Sequence, residues 1–392
     1  MTNPQRGNVT FALVCASTLG TFIAQGLLYP ALPLYMTEEL GSSKAMAGLV
    51  MSVVSVASVA VRPWAGGFVD RVGRRPLMLA GPALFAVSAF GLMAARSVVL
   101  VLLLRLVQGA ASAFSYTAAV AMTADVAPPE RRAGFLALFS TFFYVGFSAG
   151  PYVAEWLVGA TQGFTAVWWA VAIFTGAGVV AALAIRETLP ERSADAVPVP
   201  VLHRLFHPAA RGPGIVFFCI GIGWTSVAAF LSLYARDIGL ESSDVLFLAL
   251  SVTVLATRFL VGGLADRYGR LRVAFPSTVA IVVGLAGVAF VRSPLPAIVF
   301  LVIFGMGYSG GFPALLAMVA DRAPDDERGT AMGSFNVYFD IGAPLGGYGV
   351  GQLIEWGGFP LGFGAVAVAA AVGGVVLPFI GRSGRTPRPA TV

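Results

Sequence analysis

The chain has 392 residues, 57% of them hydrophobic and only 11% charged. An ordinary soluble domain carries about 25% charged residues, so a soluble globular protein is excluded. The formal net charge of +6 does not point to nucleic acid, because the basic residues sit in short segments between apolar runs, where they report orientation in a membrane.

Those apolar runs are each roughly 20 residues long, enough to cross a ~30 Å hydrocarbon layer as a helix. None alternates apolar and polar as a barrel strand would. In chain order they predict spans at 9–35, 44–66, 76–95, 98–122, 133–157 and 163–186, then at 212–235, 243–263, 272–292, 295–319, 329–354 and 359–381. The first run is too long for a signal-peptide core and contains Pro30 and Pro33, so it reads as an uncleaved span. Between the two sets, residues 187–211 hold four prolines and both histidines, His203 and His207. That segment is expected to be a cytoplasmic linker between a half at 1–186 and a half at 212–392. With no histidine inside a span, proton chemistry there has to use carboxylates. Cys15 and Cys219 fall inside spans and form neither a disulfide framework nor a metal spacing.

With the N-terminus inside, cytoplasmic segments hold 18 Lys/Arg and the opposite loops four: Lys44, Arg96, Arg236 and Arg292. The bias predicts that both termini are cytoplasmic. Arginine outnumbers lysine 24 to 1, as in high-GC bacteria, so the expected location is a bacterial inner membrane.

The chain repeats itself. Residues 62–74, RPWAGGFVDRVGR, match 258–270, RFLVGGLADRYGR, at seven of thirteen positions. Residues 121–132, AMTADVAPPERR, match 317–328, AMVADRAPDDER, at seven of twelve. Both matches share an offset of 196, half the chain. Two six-helix halves in the same orientation follow, an arrangement that puts a substrate site between them near the bilayer midplane.

These residues carry a family resemblance. The segment Gly66–Arg75, GGFVDRVGRR, resembles the loop 2–3 signature of the major facilitator superfamily, and its repeat at Gly262–Arg270 occupies the loop 8–9 position. Arg105-Leu106-Val107-Gln108-Gly109 resembles that family's span-4 signature. Gly146–Pro151, GFSAGP, resembles the span-5 signature of its exporters, and Pro30 and Pro33 are similar to the paired prolines of its twelve-helix drug:proton antiporters. Span 1 departs from many of those antiporters in having no acidic residue. The resemblance implies a gate at the cytoplasmic ends, formed by Gly66, Asp70, Arg71, Gly73 and Arg74 with their repeats Gly262, Asp266, Arg267, Gly269 and Arg270. It implies that Asp70 meets the start of span 11 and, by the repeat, Asp266 the start of span 5. A carboxylate favours a helix N-terminus for its unpaired N–H groups. Asp125 with Arg131 and Arg132, and Asp321 with Arg328, are expected to form part of the same charge network.

Charges at membrane depth are costly and are usually paired or functional. Arg105 lies within span 4, and its equivalent in the second half is Leu301. The resemblance implies a part in proton coupling; the alternative is an arginine that braces helices through backbone carbonyls. Asp340 lies about eleven residues into span 11, close to the midplane, with Tyr144 as its equivalent and Asn336 one turn before it. Low-dielectric surroundings penalise a carboxylate's charge, which suits a proton carrier; the alternative is a permanent pair with an arginine. Glu155, in the outer third of span 5, is a second carboxylate candidate or an outer-gate residue, set against headgroup exposure. Arg62 and Arg258 repeat each other and are expected to snorkel to the interface as structural residues.

Gly146 and Gly150, and Gly342 and Gly346 at the same offset, are spaced for close helix packing, with Pro151 and Pro344 as points of bending. By the resemblance, spans 1, 4, 7 and 10 line a central cavity, with spans 5, 8 and 11 contributing. Candidate liners are Gln25, Tyr29, Gln108, Trp224, Phe230, Tyr308, Phe312, Asn336 and Phe339. Such a set suits a medium-sized amphipathic or cationic organic molecule.

The expectation is therefore an all-α membrane protein of twelve transmembrane helices that exports small organic compounds, such as drugs or natural products, against protons. An importer of the same fold is the alternative. There is no GxxxxGK[ST] loop for a nucleotide, so the proton gradient is the energy source and no cofactor is expected. An enzyme lacks support, since no cluster of His, Cys or paired acids falls at membrane depth. The expected partners are a small-molecule substrate, protons and the lipid bilayer, with no nucleic acid, and the family default is a monomer.

Overall fold

A computed structural model describes residues 4–128, 131–161, 163–188, 205–261, 264–324 and 327–383. Within them the chain is helical throughout, and no strand occurs among the described residues. The first half runs α1 (Pro4–Leu34, continued by a π turn at Tyr35–Glu39), α2 (Lys44–Val72), α3 (Arg74–Ala94), α4 (Val98–Val126), α5 (Arg132–Thr161) and α6 (Thr165–Leu183). The second runs α7 (Pro208–Asp237), α8 (Asp244–Val261), α9 (Arg270–Phe290) and α10 (Pro294–Ala320). After these, α11 starts as Arg328–Pro344, passes through a π turn at Leu345–Gly349 and continues into Val350–Ser383. Gly357 and Gly358 leave helical geometry there, Gly358 at φ 71°, and the stretch beyond them, 359–383, is α12.

Nine helical segments among the described residues are long and apolar enough to cross a membrane. Thr330–Ile380 holds two of the helices named above, α11 and α12, and α5 and α8 complete the set of twelve. The boundaries lie within a few residues of the predicted spans, apart from longer tails at the chain-termini end. Serines set several starts: the Ser43 hydroxyl accepts from Met46 N–H at the head of α2, and Ser97 does the same for Leu100 at α4. Each satisfies a donor that the helix itself cannot. His207, assigned above to the linker, caps α7, its Nδ1 accepting from Ala209 N–H. Gly73 joins α2 to α3, and Gly269 joins the short helix Leu264–Tyr268, which follows α8, to α9, with φ of 110° and 95°. Only glycine adopts that backbone readily, which is why the repeat keeps a glycine at each turn.

In a bilayer, small residues rather than apolar transfer bring helices together. Within the first half α1 packs on α5 and α6, α2 on α4, and α3 on α4 and α6; in the second, α7 packs on α11 and α12, and α9 on α10 and α12. Gly146 and Gly150 seat α5 on the backbone of α1 at Leu19 and Gly26. Gly342 and Gly346 seat α11 on α7 at Phe218 and Ile222. The halves meet through α1 with α7, α2 with α11, and α5 with α8.

Candidate functional site

Arg62 on α2 and Asp340 on α11 form an ion pair across the junction of the halves, Nη2 to Oδ2 at 2.7 Å. The carboxylate is the more enclosed partner, its side chain 11% exposed against 26% for the guanidinium. Ser55, two turns before Arg62 and on the same face of α2, places its hydroxyl beside Asp340. Arg62, expected to snorkel to the membrane surface, is therefore turned inward, because a carboxylate from the other half offers it a partner at depth. Asn336 folds back on its own helix, its amide donating to Met332 O at 3.0 Å.

Arg105 sits deeper and has different company. It is 3% exposed, and Nε donates to Val50 O at 3.1 Å, Nη2 to Met51 O at 3.4 Å and Nη1 to Gln108 Oε1 at 2.8 Å. Gln108 passes the network to the Ser88 hydroxyl on α3 at 2.8 Å. The guanidinium thus ties α2, α3 and α4 together through neutral acceptors. Tyr29 on α1 is within electrostatic reach of both Arg105 and Asp340, with Gln25 bonded to its hydroxyl.

Beside this cluster lies a narrow, partly open cleft between α1 and α5 on one side and α7 and α8 on the other. Tyr29, Ser148, Pro151, Trp224, Phe247 and Ser251 line it, with aliphatic side chains of α7 and α8. Trp224 is stacked on Tyr308 with ring centroids 4.1 Å apart. Other expected liners are elsewhere. Phe230 is fully buried against Gly48 of α2, and Gln108 is fully buried in the Arg105 network. Phe312 and Phe339 pack around Phe217, at 5.2 and 5.1 Å. Phe247 and Ser251 on α8 were not anticipated, since the allocation to spans 1, 4, 7 and 10 left that helix a minor part.

At the end of the bundle that holds the α1–α2 and α7–α8 turns, the halves are tied by carboxylates. Glu155 on α5 is buried, its Oε1 accepting from the Ser243 hydroxyl at the head of α8. Glu355 on α11 accepts from Ala45 N–H in the first turn of α2 at 3.0 Å. Glu38 and Arg236 pair between α1 and α7 at 3.4 Å. Glu355 was not singled out in the sequence, where nothing separates it from a headgroup-facing acid.

At the opposite end, Arg74 pairs with Asp125 at 3.1 Å and Arg270 with Asp321 at 3.3 Å, related by the offset of 196. Asp125 also accepts from the Thr188 hydroxyl, and Glu187 accepts from the backbone N–H groups of Arg74 and Arg75 at the head of α3. The two aspartates thus bind arginines of the repeated loops inside their own half. Of the other arginines expected in this network, Arg131 is exposed and Arg328 donates to Ala320 O. Arg71 and Arg267 are exposed. The side chains of Asp70, Asp266 and Arg132 and the whole of Gly262 lie outside the described residues, as does the side chain of Tyr144.

Comparison with known proteins agrees with this architecture. The family model described as Major Facilitator Superfamily matches residues 14–347 and, in a second alignment, 213–391. An uncharacterised MFS-type transporter of Burkholderia pseudomallei (strain 1106a) is 28% identical over 93% of this chain and 89% of its own. YhhS of Escherichia coli K12, also an uncharacterised MFS-type transporter, is 24% identical over 94% of this chain and 92% of its own. Among solved structures, the nucleoside transporter NupG (D323A mutant) superposes with a TM-score of 0.77 at 15% identity, covering 95% of this chain and 99% of that one. The human organic anion transporter MFSD10 gives 0.72 at 19%, covering 96% and 100%. A bacterial homologue of the human lysosomal transporter Spinster gives 0.78 at 15%, covering 99% and 100%. Two repeated helical halves, a cleft between them and a family match over most of the sequence identify the chain as a multi-pass membrane transporter, not an enzyme, belonging to the Major Facilitator Superfamily.

Proposed function

We propose that the chain is a proton-coupled exporter of small organic compounds that works by alternating access between its two six-helix halves, 1–186 and 212–392. The observation that carries this reading is the Arg62–Asp340 pair. An enclosed carboxylate held by an arginine of the other half can exchange that partner for a proton. Protonation is then linked to separation of the halves, because removing the negative charge removes the attraction across the junction. In this reading Asp340 carries the proton, Arg62 is its switch partner, and Arg105 holds the α2–α4 wall against which Tyr29 sits. Glu155 serves the gate at its end of the bundle rather than the proton site.

The basic-residue bias puts both termini in the cytoplasm of a bacterial cell and the Glu155 and Glu355 contacts at the outer face. Export rather than uptake rests on the resemblance of Gly146–Pro151 to the exporters' span-5 signature. The test is survival of a bacterium lacking its main efflux pumps, challenged with a panel of antibiotics, dyes and organic acids. Wild type is compared with Asp340→Asn at matched membrane levels. Protection by wild type alone supports the reading. Equal protection by both removes Asp340 from the mechanism, and protection by neither removes export.

A further inference from the structure

The geometry points to His207 as a positioning residue for Asp340: residues 205–207, at the end of the linker, are a strap that sets the rotation of α11 and so brings the carboxylate to Arg62. The inference rests on the reading of that pair as the proton switch. His207 is 3% exposed. Its backbone N–H donates to Ser334 Oγ at 2.8 Å, and the Ser334 hydroxyl donates to Leu205 O, also at 2.8 Å. Its Nδ1 accepts from Ala209 N–H at 3.1 Å, so the neutral ring carries its proton on Nε2, which meets Glu327 Oε2 at 2.7 Å. Phe206 stands edge-on to Tyr338 with ring centroids 5.8 Å apart. Gly214 of α7 lies so close to the same ring that a Cβ would strike it. Positions 327, 334 and 338 form one stripe along the head of α11.

At 3.6 residues per turn, Asp340 stands about 140° round the axis from that stripe. The head of α11 is therefore held from two flanks, by the strap on one and by Arg62 of the first half on the other. Rotation matters because a charge-assisted pair needs a separation of about 2.7–2.9 Å. A side-chain group about 5–6 Å from the helix axis moves by about 2 Å when the helix turns by about 20°. The rest of α11 fixes that rotation poorly. Pro344 has no N–H to give to the carbonyl of Asp340, four residues before it, and the π turn at Leu345–Gly349 follows at once. None of the hydrogen-bonding side chains of the strap is repeated in the first half: the equivalents of His207, Glu327 and Ser334 are Phe11, Arg131 and Leu138, and that of Asp340 is Tyr144. Strap side chains and carboxylate thus occur together in the second half and are replaced together in the first.

The test uses the purified full-length protein in detergent and reads the coupling within the pair. That coupling is the amount by which the Tm loss of the Arg62→Met, Asp340→Asn double variant falls short of the sum of the two single losses. It is measured with the strap intact and again in two backgrounds that each cut one part of the strap. His207→Asn keeps the cap on α7, since Asn is a favoured N-cap residue, and removes the contact with Glu327. Ser334→Ala keeps the ring contacts and removes the hydroxyl between Leu205 and His207. A merely structural strap would lower Tm in every variant and leave the coupling as it was. A positioning strap is expected to lose at least about half of the coupling in each background, while Gly150→Ala, which strains the packing of α1 on α5 inside the first half, leaves it whole. Undiminished coupling in both strap backgrounds overturns the inference. So does an equal loss of coupling in Gly150→Ala, which would make the effect general loosening, and so does a pair that shows no coupling with the strap intact. Survival in the efflux-deficient bacterium separates the two readings. Coupling that falls with the strap, alongside equal protection by wild type and Asp340→Asn, sinks the proton reading alone. Protection lost in Asp340→Asn, alongside coupling indifferent to the strap, sinks this inference alone.

Discussion

Glu155 on α5 accepts a hydrogen bond from the Ser243 hydroxyl at the head of α8, and Glu355 on α11 does the corresponding service for Ala45 at the head of α2. The two contacts are not at equivalent positions. The repeat equivalent of Glu155 is Gly351, one turn before Glu355, and α2 begins at Lys44, one turn before the equivalent of Asp244, where α8 begins. The longer helix is met by a carboxylate one turn further along, so both junctions of the halves end on the same device. Each carboxylate satisfies helix-head groups that the opposite half leaves open.

Removing either cap is expected to loosen this end of the bundle. An N-terminal cap is worth about 0.5–2 kcal/mol, which is roughly a 2- to 30-fold change in an equilibrium. The measurement places a cysteine in the cleft by Ser148→Cys, with Cys15 and Cys219 replaced by alanine, and follows labelling by a membrane-impermeant maleimide. Glu355→Ala and Glu155→Ala should each speed labelling from the face that holds the α1–α2 turn, and the pair together should do so more than either. Unchanged rates in both would mean that the helix contacts alone keep this end shut.

The Arg62–Asp340 pair should behave as a unit. Breaking an enclosed pair leaves one charge without its partner, whereas removing both leaves none. Arg62→Met and Asp340→Asn should each lower the Tm of the purified protein, and the double variant should lose less than the sum. The coupling is expected at about 0.5–3 kcal/mol. Additive losses would show that the two side chains, though 2.7 Å apart, contribute independently.

The repeated pairs at the other end should be unequal despite their symmetry. Arg74 is 9% exposed and Asp125 19%, while Arg270 is 28% and Asp321 58%. Arg74 also donates to Val69 O, so it ties α2, α3 and α4. Asp125→Asn should cost about 1–3 kcal/mol, since it strips a buried cation of its acid, while Asp321→Asn should cost about 0–1 kcal/mol as an exposed pair. Thermal unfolding of the two variants side by side measures the difference; equal shifts would refute it.

The pattern of what the sequence discloses follows from these pairs. Span positions are legible because run length alone decides whether a helix crosses a membrane, and 44–66 or 98–122 needed no other information. Contacts inside a half are legible through the repeat: Arg74 and Arg270, Asp125 and Asp321 occur twice at one offset because each half needs the same corner. The polar contacts between halves use residues that the repeat does not share. Asp340 stands opposite Tyr144, Glu155 opposite Gly351 and Glu355 opposite Gly159. Comparing the chain with itself marks Asp340 and Glu155 as exceptions but says nothing of which helix of the other half each one meets. Arg62 was misjudged for the converse reason: it is shared with Arg258, which made it resemble a structural residue, while its partner is unique. The π turn at Leu345–Gly349 was signalled only by Pro344, which removes one helical donor.

That π turn carries the last prediction. It brings Gly347 against Gly48, so that a Cβ on either would run into the other's carbonyl oxygen. The two backbones thus meet across the junction of the halves, α2 from one and α11 from the other. Gly48→Ala and Gly347→Ala should force the helices apart at a cost of about 1–3 kcal/mol, the usual range for overpacking. Gly150→Ala meets the backbone of Gly26, but inside the first half, so it should lower Tm while leaving the junction closed. Gly176→Ala has open space around the new methyl and should change neither. The same maleimide assay separates them: faster labelling of the cleft cysteine is expected for Gly48→Ala and Gly347→Ala, and wild-type rates for Gly150→Ala. If all three speed labelling equally, the effect is general loosening of the protein, and the Gly48–Gly347 contact has no particular hold on how the halves part.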